Sequence, residues 1–282
     1  LPRANQKGNA AGIGLISGGG DAMPFETLIV QREEPVATVT LNRPPMNPIS
    51  KRMTEEIDAF LSEIQADNAI RAAIITGGGE KAFSAGADVT EFQETFAEGG
   101  VRAAAMLRHH VFTRIERFPK PIIAAVNGYA FGGGCELAMS CHLRMMADTA
   151  FIGLTEINLG IMPGYGGTQR LPRLVGRTRA LELLLLGERI SAQRAYEIGL
   201  INRVCAPSSL ISEAKELATR LAGQAPIAVK LILDSVNRGL ETTIETGLEI
   251  EADNVVVVSA TEDAVEGVMA FMQKRPPDFK GK

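Results

Sequence analysis

The feature that most constrains this chain is the short apolar run Pro121–Val126 and the way it ends. Six residues, PIIAAV, stop at Asn127-Gly128, resume as YAF, and then meet three consecutive glycines, Gly132–Gly134, ahead of the helix-like CELAMSC. A run this short, closed by a turn dipeptide, reads as a buried strand. Strand, glycine turn and helix in succession place the chain among α/β folds. Three glycines before a helix leave main-chain N–H groups unscreened by side chains, and the helix N-terminus adds partial positive charge there. Such a place suits an oxygen that becomes negative during a reaction. A tight turn with close backbone packing accounts for the glycines equally well.

Two carboxylates follow in apolar neighbourhoods, Glu136 and Glu156, 20 residues apart. Glu136 falls in the first turn of the expected helix. Glu156 stands in FIGLTEINLG, beside Leu154, Ile157 and Leu159. A carboxylate so placed is either paired or pushed to a raised pKa, and one of raised pKa beside a polarised carbonyl does acid–base work. On the residues alone Glu136 is equally a charge complementing the helix dipole, and Glu156 an exposed loop residue. Spacing by itself does not bring the two together.

With 282 residues, 45% hydrophobic and 22% charged, the chain has material for one large core. A net charge of −4 and a pI near 5.6 argue against a nucleic-acid partner. No apolar run approaches the ~18 residues of a membrane span. Cys135, Cys141 and Cys205 form no CxxC pair and read as reduced thiols of a cytosol-like compartment, with the mitochondrial matrix as the eukaryotic alternative. Cys135 has no histidine near it in sequence and reads as packing. Neither the cysteines nor His109, His110 and His142 show metal-ligand spacing, and no metal is expected.

Residues 1–22, rich in Gly, Ala and Asn, read as an appended leader, or as a short natural extension. GIGLISGGG inside them is not a dinucleotide loop, because no strand precedes it. From Phe25 the chain turns regular. FETLIVQRE and PVATVTLNRP are expected strands joined at Glu34-Pro35. Ser50 caps a helix reaching about Gln65, with Met53, Ile57, Phe60, Leu61 and Ile64 on one face. Ala72–Thr76 is a buried strand stopped by Gly77–Gly79. AFSAGADVTEF reads as a loop, the polar Glu91–Gly100 as a mobile segment, and Val101–Phe118 as a helix. Gly166 to Leu174, Arg177 to Leu186 and the stretch after Ser191 are expected helices, with a short strand at Asn202–Cys205. Helices alone follow, over 209–222, 226–238, 241–258 and 261–274. Three parts result: 1–22, a core of 23–208, and a helical region of 209–282.

NGYAFGGGCELAMSC, the run TEINLGIMPGYGGTQRLPRLVG and the upstream AFSAGADVTEF resemble the hallmark motifs of the crotonase superfamily, in its order, and enoyl-CoA hydratase most of all. The likeness runs from about Phe25 to the C-terminus. It implies a crotonase-like spiral of ββα units and a C-terminal helical region packing around a trimer axis, with trimers often paired into hexamers. It implies an acyl-CoA thioester as substrate, its CoA arriving with the substrate and no separate cofactor. The N–H groups of Ala87 and Gly133 would hold the thioester oxygen, each donor of this kind being worth about 10²–10³ in rate. Ala85, Ala87, Asp88 and Gly133 would contact the substrate. Glu136 would activate water and Glu156 handle the proton at C2. Many relatives carry a lysine where this chain has Thr90, so a phosphate contact there is not carried over. The final PPDFKGK resembles a segment that reaches toward CoA, or is a solvated tail.

The implied reaction is reversible syn hydration of a trans-2-enoyl-CoA. Within the superfamily the alternative is isomerisation, or another reaction of a CoA thioester. Isomerases of this fold usually rely on one carboxylate, and both positions are Glu here. An RNA-binding relative of the same fold fits poorly with an acidic chain lacking a Lys/Arg stripe.

Overall fold

A computed structural model describes residues 25–91 and 100–282. The expected leader and residues 92–99 of the expected mobile segment lie outside these. β1 (Leu28–Glu33) and β2 (Val36–Leu41) pair antiparallel, Leu28 opposite Leu41. β2 then pairs parallel with β3 (Ala72–Gly77), β3 with β5 (Ile122–Val126), β5 with β7 (Leu143–Ala147), and β7 with β10 (Arg203–Cys205). A smaller sheet runs β4 (Ala82–Ser84), β6 (Tyr129–Phe131), β8 (Phe151–Gly153), β9 (Ile190–Ser191). From β3 to β8 each turn of chain leaves one strand in each sheet and then helix, which is the crotonase-type spiral of ββα units.

The elements form where the side chains demand them. Every residue of β3 and of β5 is buried, as for parallel strands covered on both faces. α1 (Lys51–Ala66) begins where Ser50 Oγ accepts from Met53 N at 3.1 Å, and its stripe Met53, Ile57, Phe60, Leu61, Ile64 is buried. Each such side chain contributes about 1.5–3 kcal/mol by leaving water. α2 (Val101–Glu116) packs on α1 and on α3 (Gly133–Ser140). Two asparagines stitch the loops at one edge of the large sheet. Asn47 Nδ2 donates to Gly78 O and Ala82 O at 2.9 and 2.8 Å. Asn127 accepts from Gly77 N at 3.0 Å and donates to Gly79 O at 2.8 Å. The expected break at Asn127 is thus a fastening point for the glycine turn after β3.

α4 (Gly167–Val175), α5 (Arg177–Leu186) and α6 (Ala192–Glu197) follow the central run. α7 (Leu210–Ala222) lays Ala214, Ala218 and Ala222 against β2, β3, β5 and β7. α8 (Pro226–Gly239), α9 (Ile244–Ser259) and α10 (Glu262–Gln273) differ from it. α8 and α9 bury no residue fully, and Ile232, Val236, Leu248, Val256 and Phe271 stand in the open. The C-terminal segment folds back on its own chain. Asp263 accepts from Lys280 N and Gly281 N at 2.6 and 2.7 Å, and Arg71 donates to Phe279 O at 3.2 Å. Among the described residues no helix is long and apolar enough to cross a membrane.

Candidate active site

Gly132–Gly134 form the start of α3, and each glycine is there for a different reason. Gly132 has φ 51° and ψ −123°, a conformation open to glycine. Gly134 lies against the Ser84 carbonyl, where a Cβ would collide. A Cβ on Gly133 would strike the Tyr165 ring at 2.9 Å. As the first helical residue, Gly133 has an N–H with no partner within the helix.

The second amide comes from the loop after β4. Ala87 makes a parallel bridge to Ile49, in which Ile49 N donates to Gly86 O at 2.8 Å and Asp88 N to Ile49 O at 3.1 Å. That pattern uses the groups on either side of Ala87 and turns its own N–H the opposite way. A Cβ on Gly133 would lie 3.4 Å from Ala87 N, and one on Gly86 would lie 3.6 Å from Gly133 N. The two amides are therefore neighbours. Neither finds a protein acceptor among the described residues.

A cavity of about 480 Å³ opens over them, lined by Ala85, Ala87, Asp88, Gly133, Glu136 and Glu156 among others. All residues expected at a substrate site thus line one cavity. Asp88 borders the cavity with its carboxylate already engaged: Oδ2 pairs with Arg43 at 2.7 Å and Oδ1 accepts from Thr90 Oγ1 at 2.7 Å. Its side chain fastens the 43–48 loop to the amide-bearing loop.

Glu136 is 1% exposed. Its Oε1 accepts from Tyr165 N at 2.8 Å and Gly167 N at 2.7 Å, so the loop into α4 holds it. Burial first, then the charge of Glu156, lift its pKa to about 7 against the pull of those two amides. Glu156 begins a 3₁₀ turn, Glu156–Leu159, that Asn158 Nδ2 ties to Gly187 O at 3.1 Å. Of the apolar neighbours expected around Glu156, Leu154 is buried, whereas Ile157 and Leu159 are 43% and 70% exposed. Gly132 also approaches the carboxylate, and a Cβ there would lie 3.0 Å from Glu156 Oε1. Its Oε2 is buried without a donor among the described residues, and burial raises its pKa.

Reasoning from sequence missed Tyr165 and Gly167 as the donors to Glu136, and Arg108 and Arg170 around them. The Arg108 guanidinium lies 5.4 Å from the centre of the Tyr165 ring. Phe112 meets the same ring edge-on at 6.0 Å. The letters GYGGTQR marked the place, but only the folded chain sets them 29 and 31 residues back onto Glu136.

The chain is similar to known proteins along most of its length. Residues 31–282 match the family described as Enoyl-CoA hydratase/isomerase. The short-chain-enoyl-CoA hydratase of Clostridium acetobutylicum is 44% identical over 90% of this chain and 97% of its own. The crotonyl-CoA hydratase of Syntrophomonas wolfei is 43% identical over 92% of this chain and all of its own. A crystal structure of enoyl-CoA hydratase from Bacillus anthracis superposes with a TM-score of 0.87 at 41% identity, covering 91% of this chain and all of the other. With its paired amides, its two glutamates and its ββα spiral, the chain belongs to the enoyl-CoA hydratase/isomerase family of the crotonase superfamily.

Proposed function

We propose that this protein is an enoyl-CoA hydratase, adding water reversibly and syn across the double bond of a trans-2-enoyl-CoA to give a 3-hydroxyacyl-CoA, as in fatty-acid β-oxidation. The observation that carries it is the unequal pair of carboxylates, Glu136 and Glu156, on one cavity with two amides that find no protein acceptor among the described residues. The relatives named as hydratases support the same reading.

The thioester oxygen accepts from Ala87 N–H and Gly133 N–H. Electron density leaves C3, and C2 can hold enolate-like charge. Glu136, held by two N–H donors, is the better carboxylate. Glu156 Oε2, without a donor among the described residues, is placed to take the proton. A proton resting on Glu156 also removes the charge that lifts Glu136, so the pair shares one proton between unequal sites. Water then gives its proton to Glu136 while its oxygen bonds to C3, and Glu156 gives its proton to C2. The C2–C3 π bond and one O–H bond break, and C–O and C–H bonds form. Passage of a proton from Glu136 to Glu156 resets the enzyme. CoA enters as part of the substrate, and no further cofactor has a task.

Mixing the protein with crotonyl-CoA and weighing the product tests this. The gain of one water is expected, with Glu156→Gln losing about 10²–10⁴ of the rate and still binding acyl-CoA. Full hydration by that variant sinks the assignment.

The exposed apolar residues of α8–α10 support association with further copies of the chain, as a trimer or a pair of trimers. Light scattering that returns a monomer overturns this. The three free, buried cysteines support a reducing, cytosol-like location.

A further inference from the structure

The geometry points to Arg170 and Glu116 as positioning residues for the hydration proposed above: their ion pair locks the Tyr165 peptide so that the Tyr165 and Gly167 amides stay on Glu136. The inference rests on that reading for its kinetic readout, though not for its structural one.

Arg170 lies in the first turn of α4 and reaches back over its own N-cap. Its Nη1 donates to Tyr165 O at 3.1 Å. Nε and Nη2 donate to Glu116 Oε2 at 3.1 and 2.9 Å, and Nη2 to Thr113 Oγ1 at 3.2 Å. The guanidinium passes where a side chain at residue 166 would stand, and Gly166, at φ 112°, leaves that path open. Thr113 and Glu116 belong to the last turn of α2. Arg108 and Phe112 of the same helix hold the Tyr165 ring. One helix therefore grips Tyr165 twice, by its ring directly and by its carbonyl through Arg170. The N–H of that residue and of Gly167 are the two donors to Glu136 Oε1. Arg170 is 8% exposed and makes no hydrogen bond to Glu136, so it acts through the Tyr165 carbonyl and, at longer range, through its charge.

The direction of the effect follows from the charges around Glu136. Facing it are Glu156 from the 3₁₀ turn, Cys135 from its own helix, Arg170 from α4, and the Tyr165 phenol with Arg108 and Glu91 beyond. The amides and Arg170 favour the ionised form; burial and Glu156 oppose it. Loosening the latch weakens only the first set. Glu136 then holds its proton to higher pH, and less of it is ready to accept one from water.

Arg170→Met, Arg170→Lys and Glu116→Gln test this with crotonyl-CoA across pH. For Arg170→Met, kcat is expected to fall about 10–100-fold with little change in KM, as for a misplaced catalytic group. The acid limb of its kcat profile is expected to move up by about half to one pH unit. Glu116→Gln should shift it less, and Arg170→Lys should recover part of the loss. A drop in kcat with the limb unmoved, or an unchanged Glu116→Gln enzyme, overturns the inference. Carbon-13 titration of glutamate-labelled protein, with Glu136 assigned through Glu136→Gln, reads the same shift without turnover. A hydratase reading that fails therefore leaves this one standing or falling by itself. If Arg170→Met does not fold, Glu116→Gln decides.

Discussion

The two glutamates share a cavity and almost nothing else. The region around Glu136 is a closed frame: a helix start behind it, two peptide N–H groups on Oε1, and α2 bracing the loop that supplies them. The region around Glu156 is a single 3₁₀ turn with exposed neighbours, touching the frame at Gly132. Both carboxylates are buried in the part that matters, so both resist ionisation. Glu136 Oε1 takes two peptide N–H donors, whereas Glu156 Oε2 takes none among the described residues. The backbone thereby gives two identical side chains different surroundings.

The largest expected effect separates those tasks. Glu136→Gln and Glu156→Gln should each lower crotonyl-CoA hydration by about 10²–10⁴. They should differ in a half-reaction. When a saturated acyl-CoA is incubated in D₂O, exchange of the C2 proton needs a base at C2 and the amide pair, but no water at C3. Glu136→Gln should retain that exchange within about tenfold, because Glu156 and the amides remain. Glu156→Gln should lose it. Mass spectrometry of the recovered thioester reports the deuterium. Equal loss in both variants would show that the two regions do not divide the chemistry, and the contrast between frame and turn would carry no mechanistic meaning.

The same contrast governs what the letters could reveal. The frame was legible. A short apolar strand, a glycine run and a glutamate in the first helical turn lie within Pro121–Glu136, so local rules reach them. The Ser50 cap, the α1 stripe and the limits of Arg177–Leu186 were legible for the same reason. What failed was set at a distance. β4, β6 and β8 have three residues each and exist because a neighbouring strand fixes them. β7 hides its pattern behind Arg144, a buried arginine that spends its donors on Cys141 O at 2.6 Å and Leu200 O at 2.7 Å. The burial of Glu156 was read from adjacent letters, two of which, Ile157 and Leu159, prove exposed, while Gly132, 24 positions earlier, comes up against its carboxylate. Tyr165 and Gly167 look like turn residues until their N–H groups are seen on Glu136.

The smallest effect is thermodynamic and runs against the catalytic one. Glu136 has its pKa raised from 4.5 to about 7 in the folded protein. Between those values the folded chain binds more protons than the unfolded one, so this residue's contribution to stability is full below about pH 4.5 and is lost as pH rises toward and through 7. Glutamine is neutral throughout and keeps an oxygen for the Tyr165 and Gly167 amides. Glu136→Gln should therefore match the wild type near pH 4.5 and be more stable at pH 8, by about 1–3 kcal/mol. Thermal unfolding at fixed protein concentration should show a rise of a few degrees, at about 2–4 °C per kcal/mol for a chain of this size. Glu156→Gln should follow the same sign, since burial raises Glu156 as well. A wild type more stable than Glu136→Gln at pH 8 would mean that the amides more than offset the burial. The frame would then favour a charge outright, and the carboxylate would rest ionised at no cost to the fold.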